Sequence, residues 1–263
     1  MRRLPEPRPL RLLISVALAA GVAGVGGAAS VHAAPGAAKA SGAPSRGSGS
    51  GVTITSYGHS ALLVQGGGVR VLLNPFKAVG CAAGLAEPRV QADVILANSR
   101  LLDEGAPVAS GRFLAKPGSY RVGGLQFEGI ANPHDRVGGH RFGQATIWRW
   151  RQGGLEIAHL GSTAGPISSS DQVLLGRPDV LIIGVGGGAK VYTGQEAAEI
   201  VRQLQPRRVI PVQTLSGRQP ADCELTSVEP FLQAMAGTPV QRAGGSISLT
   251  PPLGETTTIT VLR

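Results

Sequence analysis

The stretch Asp93-Val94-Ile95-Leu96-Ala97-Asn98-Ser99-Arg100-Leu101-Leu102-Asp103-Glu104 decides how this chain is read. Val94 to Ala97 form an apolar run with polar residues on both sides. A short run without alternation predicts a strand buried on both faces. The residues after it are largely polar and end in adjacent carboxylates, Asp103 and Glu104. The segment reads as a buried strand that opens into a polar turn.

Alternation in Val52-Thr53-Ile54-Thr55, Ala61-Leu62-Leu63-Val64 and Val69-Arg70-Val71-Leu72 predicts consecutive strands, with Gly66-Gly67-Gly68 as a hairpin turn. Further strands are expected near 112–115, 125–130, 145–150 and 154–159. In Trp148-Arg149-Trp150-Arg151 the period of two puts both tryptophans on one face, toward a core, and both arginines on the other. That explains the run better than base stacking on a nucleic acid. Thr193-Gly194-Gln195-Glu196 has capping-box spacing and opens a helix that ends before Pro206. With a strand on either side, 180–213 forms a βαβ-like unit. A short helix over 228–235 and a closing strand over 256–262 complete the pass.

Six further landmarks flank the opening stretch in order. They are Ile54-Thr55-Ser56-Tyr57-Gly58-His59-Ser60-Ala61, Val71-Leu72-Leu73-Asn74-Pro75-Phe76, Pro133-His134-Asp135, Ile157-Ala158-His159-Leu160-Gly161-Ser162, Asp179-Val180-Leu181-Ile182-Ile183-Gly184-Val185-Gly186-Gly187 and Arg208-Val209-Ile210-Pro211-Val212-Gln213. Together they resemble the metallo-β-lactamase superfamily, in the version found in small proteins similar to L-ascorbate-6-phosphate lactonase. The resemblance covers about 52 to 215. It implies an α+β fold, a four-layer αββα sandwich in which two sheets pack face to face between outer helices.

The same resemblance implies a site from which most metal ligands are gone. Where the family continues its strand as T-H-x-H-x-D-H, this chain has Asn98 to Glu104, and only the aspartate, Asp103, is kept. The first metal would require Ser99, Leu101 and His134. The second would require Asp103, Glu104 and Gln213, with Ser162 where the bridging aspartate belongs. Leucine cannot ligate, and two carboxylates with an amide oxygen suit magnesium or manganese better than zinc. The expectation is no cofactor, with a single divalent ion (zinc, manganese or magnesium) on Asp103, Glu104, His134 and Gln213 as the alternative.

The loop Asn132-Pro133-His134-Asp135-Arg136-Val137-Gly138-Gly139-His140-Arg141 is dense in polar groups, and in this family such a loop lines the pocket. His134, Asp135, Arg136, His140 and Arg141 could bind an anion, helped by His59 at a strand bend and by Gln213. Alternatively Asp135 pairs with Arg136 or Arg141 and only fixes the loop. Gly184-Val185-Gly186-Gly187-Gly188-Ala189-Lys190 fails the phosphate-loop template, because Ala189 replaces the last glycine and Val191 the Ser or Thr. Lys190 beside a helix N-terminus could still hold a ligand, or the segment is a plain connection. His159, inside an apolar strand, is expected to be a hydrogen-bonded core histidine. Cys81 and Cys223 follow strands whose loops share one face in this fold, so they form one disulfide or remain two buried thiols. No Gly-x-Ser-x-Gly elbow marks a serine nucleophile.

Arg2, Arg3, Arg8 and Arg11 precede an apolar stretch from Leu12 to Ala29, and Val31-His32-Ala33 offers a cleavage site. Residues 1–33 read as a secretory signal, with an uncleaved anchor as the alternative. Residues 34–51, rich in Pro, Gly, Ser and Ala, read as a flexible linker, leaving 52–263 as the domain. Past the leader, 21 basic residues remain of 25 and 15 acidic of 16, a moderately basic balance that suits an anionic partner or solubility alone. The chain is expected to be exported, periplasmic or extracellular, with no span after cleavage and no nucleic-acid partner. Whether it is an enzyme stays open. The first reading is a pseudoenzyme that binds a small anionic ligand or a partner in the former pocket, and the second is a hydrolase of lactones or phosphoesters with a rebuilt single-metal site.

Overall fold

The computed structural model describes residues 49–263, so the signal over 1–33 and most of the linker lie outside the described residues. One sheet has six strands. In spatial order they are β13 (Ser246–Leu249), β1 (Val52–Ser56), β2 (Leu62–Gly66), β3 (Val69–Leu73), β4 (Gln91–Leu96) and β5 (Ser110–Leu114). The other has eight, ordered β12 (Val240–Arg242), β14 (Thr258–Val261), β11 (Arg208–Val212), β10 (Val180–Gly184), β9 (Leu155–Gly161), β8 (Gln144–Gln152), β7 (Leu125–Pro133) and β6 (Gly118–Val122). Among the described residues the α-helices are α1 (Ser169–Leu175), α2 (Gly194–Leu204) and α3 (Glu229–Ala234).

The sheets meet face to face, as a sandwich must to bury two apolar surfaces. Val71, Val94 and Leu96 of the first sheet share one buried cluster with Trp148, Trp150 and Ile182 of the second. Both tryptophans face this core, and Arg149 and Arg151 face away, as the period of two requires. On the outer face of the eight-stranded sheet, Leu181 and Ile183 pack with Ala197 and Val201 of α2 and Phe231 of α3. Over the other sheet the covering is lean. Leu72 and Ile95 lie against Val90, Tyr57 and Phe113 rather than against a helix.

Local chemistry explains several boundaries. Gly67 and Gly68, with φ of 58° and 76°, make the two-residue turn between β2 and β3, while Gly66 still pairs with Val69. The Thr193 hydroxyl accepts the Glu196 amide at 3.2 Å and the Glu196 carboxylate accepts the Thr193 amide at 2.7 Å, closing the capping box of α2. The sequence reading missed α1, which opens with its own box from Ser168 and Asp171, and it missed β6, β12 and β13, all short and largely exposed. β3, β4 and β5 run parallel, as do β9, β10 and β11. β7 has their direction too, since it is antiparallel to β8 and β8 to β9. The loops that leave these strands therefore gather at one rim of the sandwich.

Candidate functional site

At that rim, the turn after β4 carries Glu104 into full burial. Its Oε1 accepts the Ser99 hydroxyl at 3.0 Å and lies 2.8 Å from His134 Nε2. Its Oε2 accepts Gln213 Nε2 at 3.0 Å and lies 3.1 Å from Lys190 Nζ. Burial works to raise the Glu104 carboxyl, but His134 and the Lys190 ammonium outweigh it and hold the group at about 2.

Lys190 comes from the Gly-rich loop after β10, on the other sheet, and donates to both oxygens of Asp103 at 2.9 Å each. An ammonium has three protons. Asp103 Oδ1 and Oδ2 with Glu104 Oε2 supply three acceptors. Burial pushes the lysine down, yet the two carboxylates prevail and raise it above its ordinary value. Of the two readings left open for Lys190, a ligand-holding lysine or a plain connection, the structure shows its donors directed at Asp103 and Glu104 while the residue still lines the cavity.

His59 and Gln213 reach the same place from backbone in the left-handed region, φ 51° and 53°. Such values are uncommon for non-glycine residues and mark sites where the fold over-determines the conformation. Gln213 is held by its own amide, which donates to the His59 carbonyl at 2.9 Å. Burial lowers the His59 imidazole despite the pull of Glu104 and Asp103.

Behind this cluster lies a second polar knot that the sequence reading did not identify as a unit. Asn74, also left-handed at φ 41°, donates from Nδ2 to Asn98 Oδ1 at 2.6 Å, and Asn98 N donates to Asn74 Oδ1 at 2.9 Å. Asn98 Oδ1 accepts the Ser162 amide at 3.1 Å, and Asn74 Nδ2 lies 3.4 Å from the Ser162 hydroxyl. Ser162 is thus held by the asparagine pair. Nearby, Gly161 is required because a Cβ there would overlap Asn98 Oδ1 and the His159 ring. His159 is a core residue, but neither ring nitrogen has a protein partner, contrary to the expected hydrogen bonding, and burial lowers it to about 3.

The loop after β7 divides its polar residues between scaffold and pocket. Asp135, buried, accepts the amides of Val137, Gly139, Arg141 and Phe142 at 2.8 to 3.0 Å. Burial works to raise its carboxyl, but the four amides win and lower it. Arg136 binds both Glu196 oxygens, at 2.7 and 2.6 Å, and the carbonyls of Val191 and Gly188. In the alternative reading Asp135 fixes the loop, and it does so through backbone amides rather than by pairing with the Arg136 or Arg141 side chain, while Arg136 latches onto α2. His134 is consumed by Glu104, and His140 is exposed and outside the cavity lining. Of the five loop residues considered for anion binding, Arg141 alone lines the cavity. Its guanidinium lies 5.1 Å over the Phe142 ring.

The cavity holds about 250 Å³, with Asp103, Lys190, His59, Gln213 and Phe142 in its lining. Asp222 and Glu224, not singled out from sequence, form part of its wall on the loop after β11. Cys81 and Cys223 are bonded and join that loop to the one after β3. Of the alternatives left open by the sequence, the disulfide is present.

The residues do not fit a divalent metal as they stand. Both oxygens of Asp103 face an ammonium, Glu104 is shared among four side chains, and Leu101 offers no donor atom. Among the described residues no group of three or more His, Cys, Asp and Glu side chains is arranged to hold a metal. His134, Gln213 and Lys190 do come together on Glu104, and Asp103 joins them only through Lys190.

Comparison with known proteins agrees with this frame. The model of the beta-lactamase superfamily domain matches residues 53–213, and the chain belongs to the metallo-β-lactamase superfamily. A proposed zinc-dependent hydrolase of that superfamily from Thermotoga maritima is 21% identical, with a TM-score of 0.64 over 81% of this chain and 100% of its own. The metallo-β-lactamase fold protein YhfI from Bacillus subtilis is 10% identical, with a TM-score of 0.51 over 81% of this chain and 96% of its own. A proposed metal-dependent hydrolase from Parabacteroides distasonis is 14% identical, with a TM-score of 0.53 over 71% and 89%. At these identities the likeness shows the fold, the α+β sandwich. A comparison with curated proteins found no match.

Proposed function

We propose that this protein is a hydrolase-fold pseudoenzyme that binds a small molecule in the former active-site cavity. The observation that carries the reading is the Lys190 ammonium within 2.9 to 3.1 Å of Asp103 and Glu104, where the second metal would bind in the family. An ammonium carries one charge, has no open coordination position and cannot lower the pKa of a bound water as a divalent ion does. The ligand is a small anion seated on Arg141. Among the described residues, Arg141 is the basic side chain of the cavity lining without a carboxylate in ion-pair range. Asp222 and Glu224 in the same lining favour a single carboxylate or monoester over a polyanion.

Thermal shift and calorimetric titration with a panel of small carboxylates and phosphomonoesters test this reading. A hit should weaken about 10-fold or more in Arg141→Ala, the worth of a charge-assisted hydrogen bond. Equal affinity in the variant would remove Arg141 from the site.

The second reading is a metal-dependent hydrolase with a rebuilt site, favoured by the convergence of Asp103, Glu104, His134 and Gln213. One divalent ion per chain in protein purified without chelator or affinity metal would support it. Export is also part of the proposal. The Cys81–Cys223 disulfide supports an oxidising compartment. No helix among the described residues is long and apolar enough to cross a membrane.

A further inference from the structure

We propose that the ligand is a dicarboxylate that spans two cavities, with one acid group on Arg141 and the other on Arg218 in a second cavity beyond His59. The inference rests on the reading of Arg141 as the anion seat. It adds where the rest of the ligand lies.

The second cavity, of about 480 Å³, adjoins the first, since His59 and Cys81 line both. Its walls come from two loops, Cys81 to Leu85 after β3 and Thr214 to Ala221 after β11, and the Cys81–Cys223 disulfide ties those loops together. At about 250 Å³ the first cavity falls below the roughly 300 to 1,000 Å³ of small-molecule sites, and joined to the second it falls within that range.

Charge divides the two. The first lining carries Asp103, Asp222 and Glu224 against Arg141 and Lys190, one negative charge in excess. It admits one acid group, on Arg141, and repels a second. The lining of the second cavity has no carboxylate and one cation, Arg218. Among the described residues Arg218 forms no ion pair. Its guanidinium fork suits a carboxylate, and one charge without a second cation matches a carboxylate better than a doubly charged phosphate. Thr214 and Ser216 add hydroxyl donors, while Leu85 and Leu215 offer an apolar wall to the methylenes between the two acid groups. Gln219 is already occupied, because its amide donates to the Cys223 carbonyl and fastens the loop beside the disulfide.

Calorimetry on the whole chain tests this with straight-chain dicarboxylates from succinate to suberate, each against the monocarboxylate of equal carbon number. At the length that bridges the cavities, the dicarboxylate should bind wild type about 5-fold tighter, the worth of one solvent-exposed guanidinium contact. Arg218→Glu should remove that preference and turn it toward the ω-amino carboxylate of the same length, because the reversed charge recruits an ammonium. Arg218 is exposed, so this variant should keep the melting temperature of wild type. Arg141→Ala should weaken dicarboxylate and monocarboxylate alike. If no dicarboxylate outbinds its monocarboxylate, or if the preference survives in Arg218→Glu, the second subsite is overturned, and the Arg141 reading stands so long as Arg141→Ala weakens the monocarboxylate. If the acids bind Arg141→Ala as tightly as wild type, or do not bind wild type, the Arg141 reading falls and the dicarboxylate with it.

Discussion

The Nζ of Lys190 stands 2.9 Å from each carboxylate oxygen of Asp103, across 87 positions of sequence and from one sheet to the other. Its third contact, to Glu104 at 3.1 Å, is fully buried on the acid's side. One side chain thus joins the rims of both sheets at the floor of the cavity, and several outcomes depend on that join.

The depressed carboxyl of Glu104 makes stability depend on acid. An unfolded glutamate titrates at 4.5 and the folded group at about 2. The stability it contributes is fully present above 4.5 and is lost as pH falls through about 2. The difference is on the order of 3 kcal/mol. Urea denaturation across this window should show wild type losing stability faster than Glu104→Gln. Parallel curves would mean that the carboxylate is not held as its contacts imply.

His159 acts at a higher pH. Burial alone takes it from 6.5 to about 3, so the folded state favours the neutral ring. Its contribution is present above 6.5 and is lost as pH falls toward 3, so a decline begins between 6.5 and 5, before Glu104 titrates. His159→Leu removes two orphaned polar atoms at similar volume, and should flatten that decline and stabilise the domain by about 1 kcal/mol at pH 6. A loss of more than about 1 kcal/mol in the variant would reveal a hydrogen bond that the ring needs.

Arg136→Ala separates scaffold from binding. The arginine ties α2 to the Val191 and Gly188 carbonyls but lies outside the cavity lining. Both ion-pair partners are about a third exposed, so the cost should stay near 1 to 2 kcal/mol. Amide exchange over 186–192 should accelerate, and a carboxylate ligand should weaken far less than in Arg141→Ala. Equal weakening would put Arg136 in the binding site after all.

Replacing Cys81 and Cys223 together by serine releases a closure spanning 142 positions. The chain-entropy limit for that loop is about 5 kcal/mol. The measured loss should fall below it, and exchange should rise in 213–227, the loop that supplies Asp222 and Glu224 to the cavity. No change in melting temperature would show that the rim is held by packing alone.

Much of the fold was legible because it rests on local rules. The period of two in Trp148 to Arg151 sets which side chains enter the core, and the Thr193 to Glu196 box sets where α2 begins. The order of seven motif stretches carried the family. Short exposed strands such as Val240–Arg242 left no such pattern, because pairing rather than burial defines them.

The sequence by itself determined the sandwich, the loops that would form the site, and the missing ligand types at Ser99, Leu101, Ser162 and Gln213. Tertiary structure alone decided what fills their place. Whether Arg136 binds a ligand or Glu196, and whether Lys190 meets an anion or Asp103, depends on the separation of loops from different strands. Sequence spacing does not encode that distance. Ion pairs form at a few ångströms, and only the packing of two twisted sheets brings these loops that close.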